Sequence, residues 1–149
     1  MSRIKNPEFA QAVRASFDRQ PAMQLIHASL ADISDGSVEI HLPHWHGVEQ
    51  QHGYVHGGVV GMIADSAAGF AAMTLIPSDA SVLTVEYKIN MMAPALGETL
   101  IARGKVLKAG RTLIVTQAEV VSINQGQETL SALMQQTIMV MHGKREKTS

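Results

Sequence analysis

The stretch His56-Gly57-Gly58-Val59-Val60-Gly61-Met62-Ile63-Ala64-Asp65-Ser66-Ala67-Ala68-Gly69-Phe70 decides how this chain folds. A His-Gly-Gly turn opens it, and the apolar run continues to Ile76. Between Gly57 and Ser78 the only ionisable side chain is Asp65. A helix that is apolar on all sides is a buried helix. A carboxylate in or beside a core costs stability unless it is paired or used. Asp65 is therefore the residue to follow.

Working outward, the neighbouring segments read mostly as strands. Downstream, residues 81–91 alternate, with Leu83, Val85, Tyr87 and Ile89 on the expected core face and Thr84, Glu86, Lys88 and Asn90 opposite. Pro94 and Gly97 break this run. Residues 99–107, 112–123 and 129–141 follow as strands, separated by Lys108-Ala109-Gly110-Arg111 and Asn124-Gln125-Gly126 turns. Upstream, Ile26, Ala28, Leu30 and Ile33 suggest a strand beginning near Leu25. Asp35-Gly36 is a hairpin signal, and Val38, Ile40 and Leu42 form the return strand. Asn6-Pro7 reads as the start of an amphipathic helix carrying Phe9, Val13 and Phe17, which ends near Gln20-Pro21 and lies as a lid on a core.

A run of strands must bury one face, and the central helix is the apolar object available. Its small residues, Gly61, Ala64, Ala67, Ala68 and Gly69 among them, let a curved sheet wrap closely around it. The expectation is one α+β domain over 1–149, with an N-terminal helix over about 1–20 and a flexible polar tail from about 143. Twelve basic and 13 acidic residues leave a formal charge of −1, so there is no electrostatic footprint for general nucleic-acid binding. Cysteine is absent, which removes disulfides and thiol nucleophiles. Residues 1–20 contain no signal-peptide core, so a cytoplasmic enzyme or binding protein is expected. The run from Val55 to Ile76 is long enough for a membrane span, but Asp65, the glycines and the strand-rich flanks argue against one.

The order of elements, with His-Gly-Gly opening the buried helix and an Asp nine positions after the His, resembles the hotdog-fold acyl-CoA thioesterases of the PaaI-like group. Pro94-Ala95-Leu96-Gly97-Glu98 is similar to that family's strand break, and Gly110-Arg111-Thr112 matches the following hairpin. The resemblance implies hydrolysis of an acyl-CoA, with a small or medium aliphatic or aromatic acyl group, to a free acid and coenzyme A. No cofactor or metal is implied, since coenzyme A is part of the substrate. By the same resemblance Asp65 matches the catalytic carboxylate, Gly57 the backbone N–H that polarises the carbonyl, and His56 a supporting histidine. Gln50 falls where many relatives carry Asn, with Gln51 as its alternative, and Thr84 falls where some carry Ser.

The chemistry suits these residue types. Backbone N–H groups at a helix N-terminus are donors for a developing oxyanion, and Gly57 and Gly58 permit close approach of substrate. A carboxylate acts as general base on water or attacks directly to form an anhydride. Asp65 lies about 12 Å from Gly57 along one helix at ~1.5 Å per residue. Reacting atoms must come within about 3–3.5 Å. One chain's Asp65 thus does not reach its own Gly57, and a two-fold homodimer with side-by-side central helices is required. The family resemblance carries this further to a dimer of dimers.

Other features are expected to be secondary. Lys108 and Arg111, and Lys144 and Arg145, are candidates for coenzyme A phosphates. Met62, Phe70, Met73, Met91 and Met92 are candidates for an apolar acyl pocket. His41, His44, His46, His52 and His56 suggest zinc only weakly, because no Cys accompanies them, and read better as loop residues. Glu49 is an alternative carboxylate in that loop. Two rival functions share the fold: a dehydratase or hydratase acting on acyl-CoA or acyl-carrier protein, and a non-catalytic acyl-CoA-binding protein.

Overall fold

The computed structural model describes residues 5–148. Helices α1 (Phe9–Asp18) and α2 (Pro21–Leu25) precede strands β1 (Ser29–Ser34) and β2 (Ser37–Pro43). A short 3₁₀ turn (His46–Val48) leads into helix α3 (Gly57–Met73). Strands β3 (Ser81–Met91), β4 (Thr99–Ala109), β5 (Leu113–Asn124) and β6 (Gln127–Met141) complete the order. All six strands form one sheet, β1-β2-β4-β5-β6-β3, with every neighbouring pair antiparallel. The chain leaves β2, runs through α3 and re-enters the sheet as β3 at the far edge. The helix packs against β2, β3, β4, β5 and β6. This is the α+β hotdog arrangement, a curved sheet around a central helix with an N-terminal helix beside it.

Close approach of helix and sheet is built into the residues. Ala64, Ala67, Ala68, Ala71 and Ala72 are buried on α3, and Gly104 of β4 faces them. A methyl group on Gly104 would lie 2.3 Å from the carbonyl carbon and oxygen of Ala67, both rigid backbone atoms. Gly104→Ala is therefore expected to destabilise the fold by about 3 kcal/mol, the upper part of the overpacking range. A thermal melt checks this, and a midpoint unchanged within about 2 °C would mean that helix and sheet separate freely. At the other end of α3, Thr74 Oγ1 accepts the Gly36 N–H at 2.8 Å, which ties the β1–β2 turn to the helix. Gly36 has φ +76°, a conformation that suits glycine, and the Gln125-Gly126 turn has φ +50° and +79°, both positive as a type I′ hairpin turn requires.

The lid helix lies as expected, with Val13 and Phe17 buried and the Phe17 and Phe70 rings 6.0 Å apart. Three expectations need correction. First, no strand begins at Leu25. Pro21 opens a separate short helix, α2, whose Met23 and the following Ile26 are buried. His27 turns the chain with φ +66°, its ring stacked 4.2 Å from Trp45. β1 then starts at Ser29 and is bulged between Leu30 and Asp32, which keeps Ile33 on the core-facing side with Leu30, opposite the buried Val38 and Ile40. Second, the polar tail is tied down at Glu146, whose Oε2 accepts from Ser16 at 2.6 Å and Arg19 at 3.0 Å.

The third correction concerns β3. Its pairing with β6 slips between Thr84 and Glu86, a bulge that leaves Val85 as the extra residue. Before the bulge Val82 and Thr84 lie opposite the buried Val140 and Ile138; after it Tyr87 and Ile89 lie opposite the buried Gln136 and Met134. The inward row thus runs Val82, Thr84, Tyr87, Ile89. Leu83 and Val85, expected in the core, are 58% and 57% exposed, and Thr84 takes the inward place. β3 is also an edge strand, so these apolar groups flank an unpaired backbone. Among the described residues no helix is long and apolar enough to cross a membrane.

Candidate active site

The first turn of α3 accounts for its own N–H groups one by one. His56 is the N-cap, held by its own N–H to the Val48 carbonyl at 2.9 Å. Its carbonyl accepts from Val59 at 2.9 Å and Val60 at 3.1 Å. Its Nδ1 accepts the Gly58 N–H at 2.8 Å, which places the ring proton on Nε2. Of the initial N–H groups that a helix leaves unsatisfied, only that of Gly57 has no acceptor among the described residues. A side chain on Gly58 would stand 3.0 Å from His56 Nδ1, so Gly58 gives the ring its place. Gly58 was expected to bind substrate, but its N–H is already engaged.

Gly57 opens onto a cavity of about 170 Å³ that Gln50, Tyr54, Val60, Met91 and Pro94 also line. Gln50 is held by a tight loop: its N–H donates to the Tyr54 carbonyl at 2.9 Å and its Oε1 accepts from the His52 N–H. Gln51 is exposed and does not line this cavity. Of the two alternatives, Gln50 is the one beside Gly57.

Asp65 lies two turns further along α3 and opens onto a different cavity of about 280 Å³, lined with Ser66, Gly69, Phe70, Leu83 and Thr84 among others. Thr84 Oγ1 donates to Asp65 Oδ1 at 2.8 Å. A residue not singled out in the sequence joins them. Gln136 of β6 is buried, and its Nε2 donates to the same Asp65 oxygen and lies 3.1 Å from Thr84 Oγ1. Its Oε1 accepts from Thr116 of β5 at 3.1 Å. Parity carried the signal: Gln136 sits in the row Met134, Ile138, Val140, where every neighbour two residues away is apolar.

The two cavities share no lining residue. Within one chain the structure brings Gly57, Gln50 and His56 together, and brings Asp65 and Thr84 together, but keeps the two groups apart. Lys108 and Arg111 lie elsewhere, lining a cavity of about 460 Å³ at the C-terminal end of α3 with Leu75 and Ile76. Phe70 lines the Asp65 cavity and Met91 the Gly57 cavity; Met62, Met73 and Met92 line neither.

Three of the loop and strand histidines have carboxylate partners. His41 bonds Glu39 at 2.6 Å, while His44 and His46 approach Glu49 at 3.0 and 3.4 Å. That occupies the carboxylate of Glu49, which lines neither cavity. Among the described residues no group of three or more His, Cys, Asp or Glu is arranged to hold a metal ion. One carboxyl that lines neither cavity, that of Glu128, is perturbed by its partner. On the outer face of the sheet Arg103 grips Glu128 at 2.6 and 3.0 Å and holds its carboxyl below the ordinary value by those hydrogen bonds.

A sequence family described as the thioesterase superfamily matches residues 52–129. The chain is similar to a thioesterase family protein from Silicibacter pomeroyi of known crystal structure. The two are 42% identical with a TM-score of 0.89, over 91% of this chain and 99% of that one. It is also 29% identical over 119 residues to a putative esterase of Halobacterium salinarum, covering 76% of this chain and 78% of the relative. The E. coli PaaI protein, from the phenylacetic acid degradation operon, shares the fold with a TM-score of 0.82 at 19% identity, over 92% of this chain and 96% of that one.

Proposed function

Because the chain belongs to the hotdog-fold thioesterase superfamily, we propose that it hydrolyses an acyl-CoA to the free acid and coenzyme A at a site shared between two protomers. The observation that carries this reading is the separation of the two half-sites, each in its own cavity with no residue in common. A catalytic carboxylate and an oxyanion donor that must meet at one carbonyl do not meet within this chain.

A two-fold homodimer resolves the separation. Edge strand β3 carries the exposed Leu83, Val85, Tyr87 and Met91 beside its unpaired backbone. Pairing this edge with a second copy sets the two α3 helices side by side and antiparallel, so that Asp65 faces Gly57 of the partner subunit. The C-terminal end of one α3, with Lys108 and Arg111, then extends past the N-terminal end of the other, where the phosphates of coenzyme A would meet them.

In this site the thioester oxygen accepts the Gly57 N–H, and the positive end of the α3 dipole stabilises the charge that builds there. The carboxylate of Asp65 removes a proton from water as the water attacks the carbonyl carbon, or attacks that carbon itself to give an anhydride that water then cleaves to the free acid, restoring Asp65. The C–S bond breaks and the thiolate of coenzyme A takes a proton. Gln50, beside Gly57, orients the carbonyl or the water. His56 acts through the turn it holds.

The test uses two variants, Asp65→Asn and Gly57→Pro, assayed with a thiol reagent on hexanoyl-CoA and benzoyl-CoA. Each alone is expected to keep no more than about 1% of native activity. Co-purified as mixed dimers, they recover one intact site per heterodimer, about a quarter of the native sites if chains pair at random. No recovery in verified heterodimers would overturn the shared site. Interconversion of hydroxyacyl and enoyl thioesters without thiol release would make the protein a dehydratase, and binding without either reaction would make it a carrier.

A further inference from the structure

We propose that Gln136 is a positioning residue that fixes the rotation of the Asp65 carboxylate, and that Thr116 sets the direction of the Gln136 amide. The proposal rests on the catalytic reading of Asp65 given above.

A primary amide in the inward row of β6 is costly unless its polar atoms are all paired. Gln136 is 1% exposed and Thr116 is fully buried, so neither group is there to meet solvent. Counting protons leaves a single consistent arrangement with Asp65 ionised. The Thr116 hydroxyl donates to Gln136 Oε1 at 3.1 Å. The amide therefore presents its two N–H groups, one to Asp65 Oδ1 and one to Thr84 Oγ1 at 3.1 Å. The Thr84 hydroxyl has its own proton left for Asp65 Oδ1, at 2.8 Å. With the amide turned over, its oxygen would face the carboxylate, acceptor against acceptor.

Both donors converge on one oxygen. Asp65 Oδ2 has no partner among the described residues and is left as the oxygen that can meet water or substrate in the cavity. One hydrogen bond from Thr84 would leave the carboxylate free to swing about it. The second donor, delivered from β6 rather than β3, locks the plane of the group. Gln136 touches no substrate, and its effect passes entirely through the orientation of Asp65.

The experiment measures kcat and KM separately on the assembled full-length protein with hexanoyl-CoA and benzoyl-CoA. Gln136→Met keeps the volume and removes the donors; kcat is expected to fall about 10- to 100-fold, the cost of a misplaced reacting group, with KM within about twofold. Thr116→Val keeps the shape and frees the amide to turn, and is expected to lower kcat in the same direction. Thr116→Ser restores the hydroxyl and is expected to recover native kcat. The Thr116 pair decides the matter even where Gln136→Met does not fold. Native kcat in Gln136→Met or in Thr116→Val, or equal losses in Thr116→Val and Thr116→Ser, overturns the proposal. Asp65→Asn serves as the reference. Were it inactive while the Gln136 and Thr116 variants stayed native, only this proposal would fall; were it active, the reading of Asp65 would fall first and carry this one with it.

Discussion

Asp65→Asn is expected to lower kcat about 10³-fold, within the range for loss of a positioned acid–base group, while the protein keeps its fold and its affinity for acyl-CoA. The structure explains why the fold survives. The two donors on this side chain, Thr84 and Gln136, both address Oδ1, and an asparagine can present its carbonyl oxygen to them. Its amide nitrogen then takes the place of Oδ2 in the cavity. The substitution thus changes the chemistry of one atom facing the substrate and leaves the network behind it intact. Steady-state kinetics with a parallel thermal melt check this. A kcat within tenfold of native would mean that Asp65 is neither base nor nucleophile.

Gly57→Pro is the second large effect, a loss of about 10²–10³ in kcat, the usual cost of removing one oxyanion donor. Proline is well suited to this first helical position, because its missing N–H is one that the helix does not use. His56 has ψ 135°, which a following proline tolerates. A carbon on Gly57 would meet only the methyl end of Met91, at 3.3 Å, which can move aside. Gly57→Ala is the matched control, since it adds a carbon and keeps the donor. Equal activity in the Pro and Ala variants would remove the Gly57 N–H from the mechanism.

Much of this architecture is legible in the amino-acid sequence. α3 follows from a His-Gly-Gly turn opening an apolar run, β3 from alternation ended by Pro94 and Gly97, and β4, β5 and β6 from the turn residues between them, signals that are local and strong. The failures are also local and physical. α2 is five residues long, too short for a helical period to show, and its last residue, Leu25, opens the stretch that reads as strand. The bulge at Val85 has no sequence signature, and it inverted the assignment of Leu83, Val85 and Thr84. An apolar pattern reports that a residue is to be covered, but not by which chain. Leu83 and Val85 were therefore placed in the core although this chain leaves them open.

The site divides along the same line. Asp65, Gly57 and His56 stand out because a lone charge in an apolar helix and a double glycine are rare compositions. Gln136 and Thr116 do not, because Gln and Thr are ordinary in strands and only their inward parity distinguishes them. Lys108 and Arg111, candidates for the phosphates of coenzyme A, lie in a cavity separate from those of Asp65 and Gly57.

The bulge in β3 also bears on how such a chain can change by descent. Deleting one residue between Thr84 and Glu86 would make the strand regular, and local geometry alone would favour it. Without Val85, Val82, Thr84, Tyr87 and Ile89 would fall at every second place and all still face the helix, because the extra residue of a bulge is the one that breaks the alternation. A deletion anywhere else in β3 would instead turn one half of the strand over. The place of Val85 should therefore tolerate the loss of a residue, while the rest of the strand accepts changes of side chain but not of length.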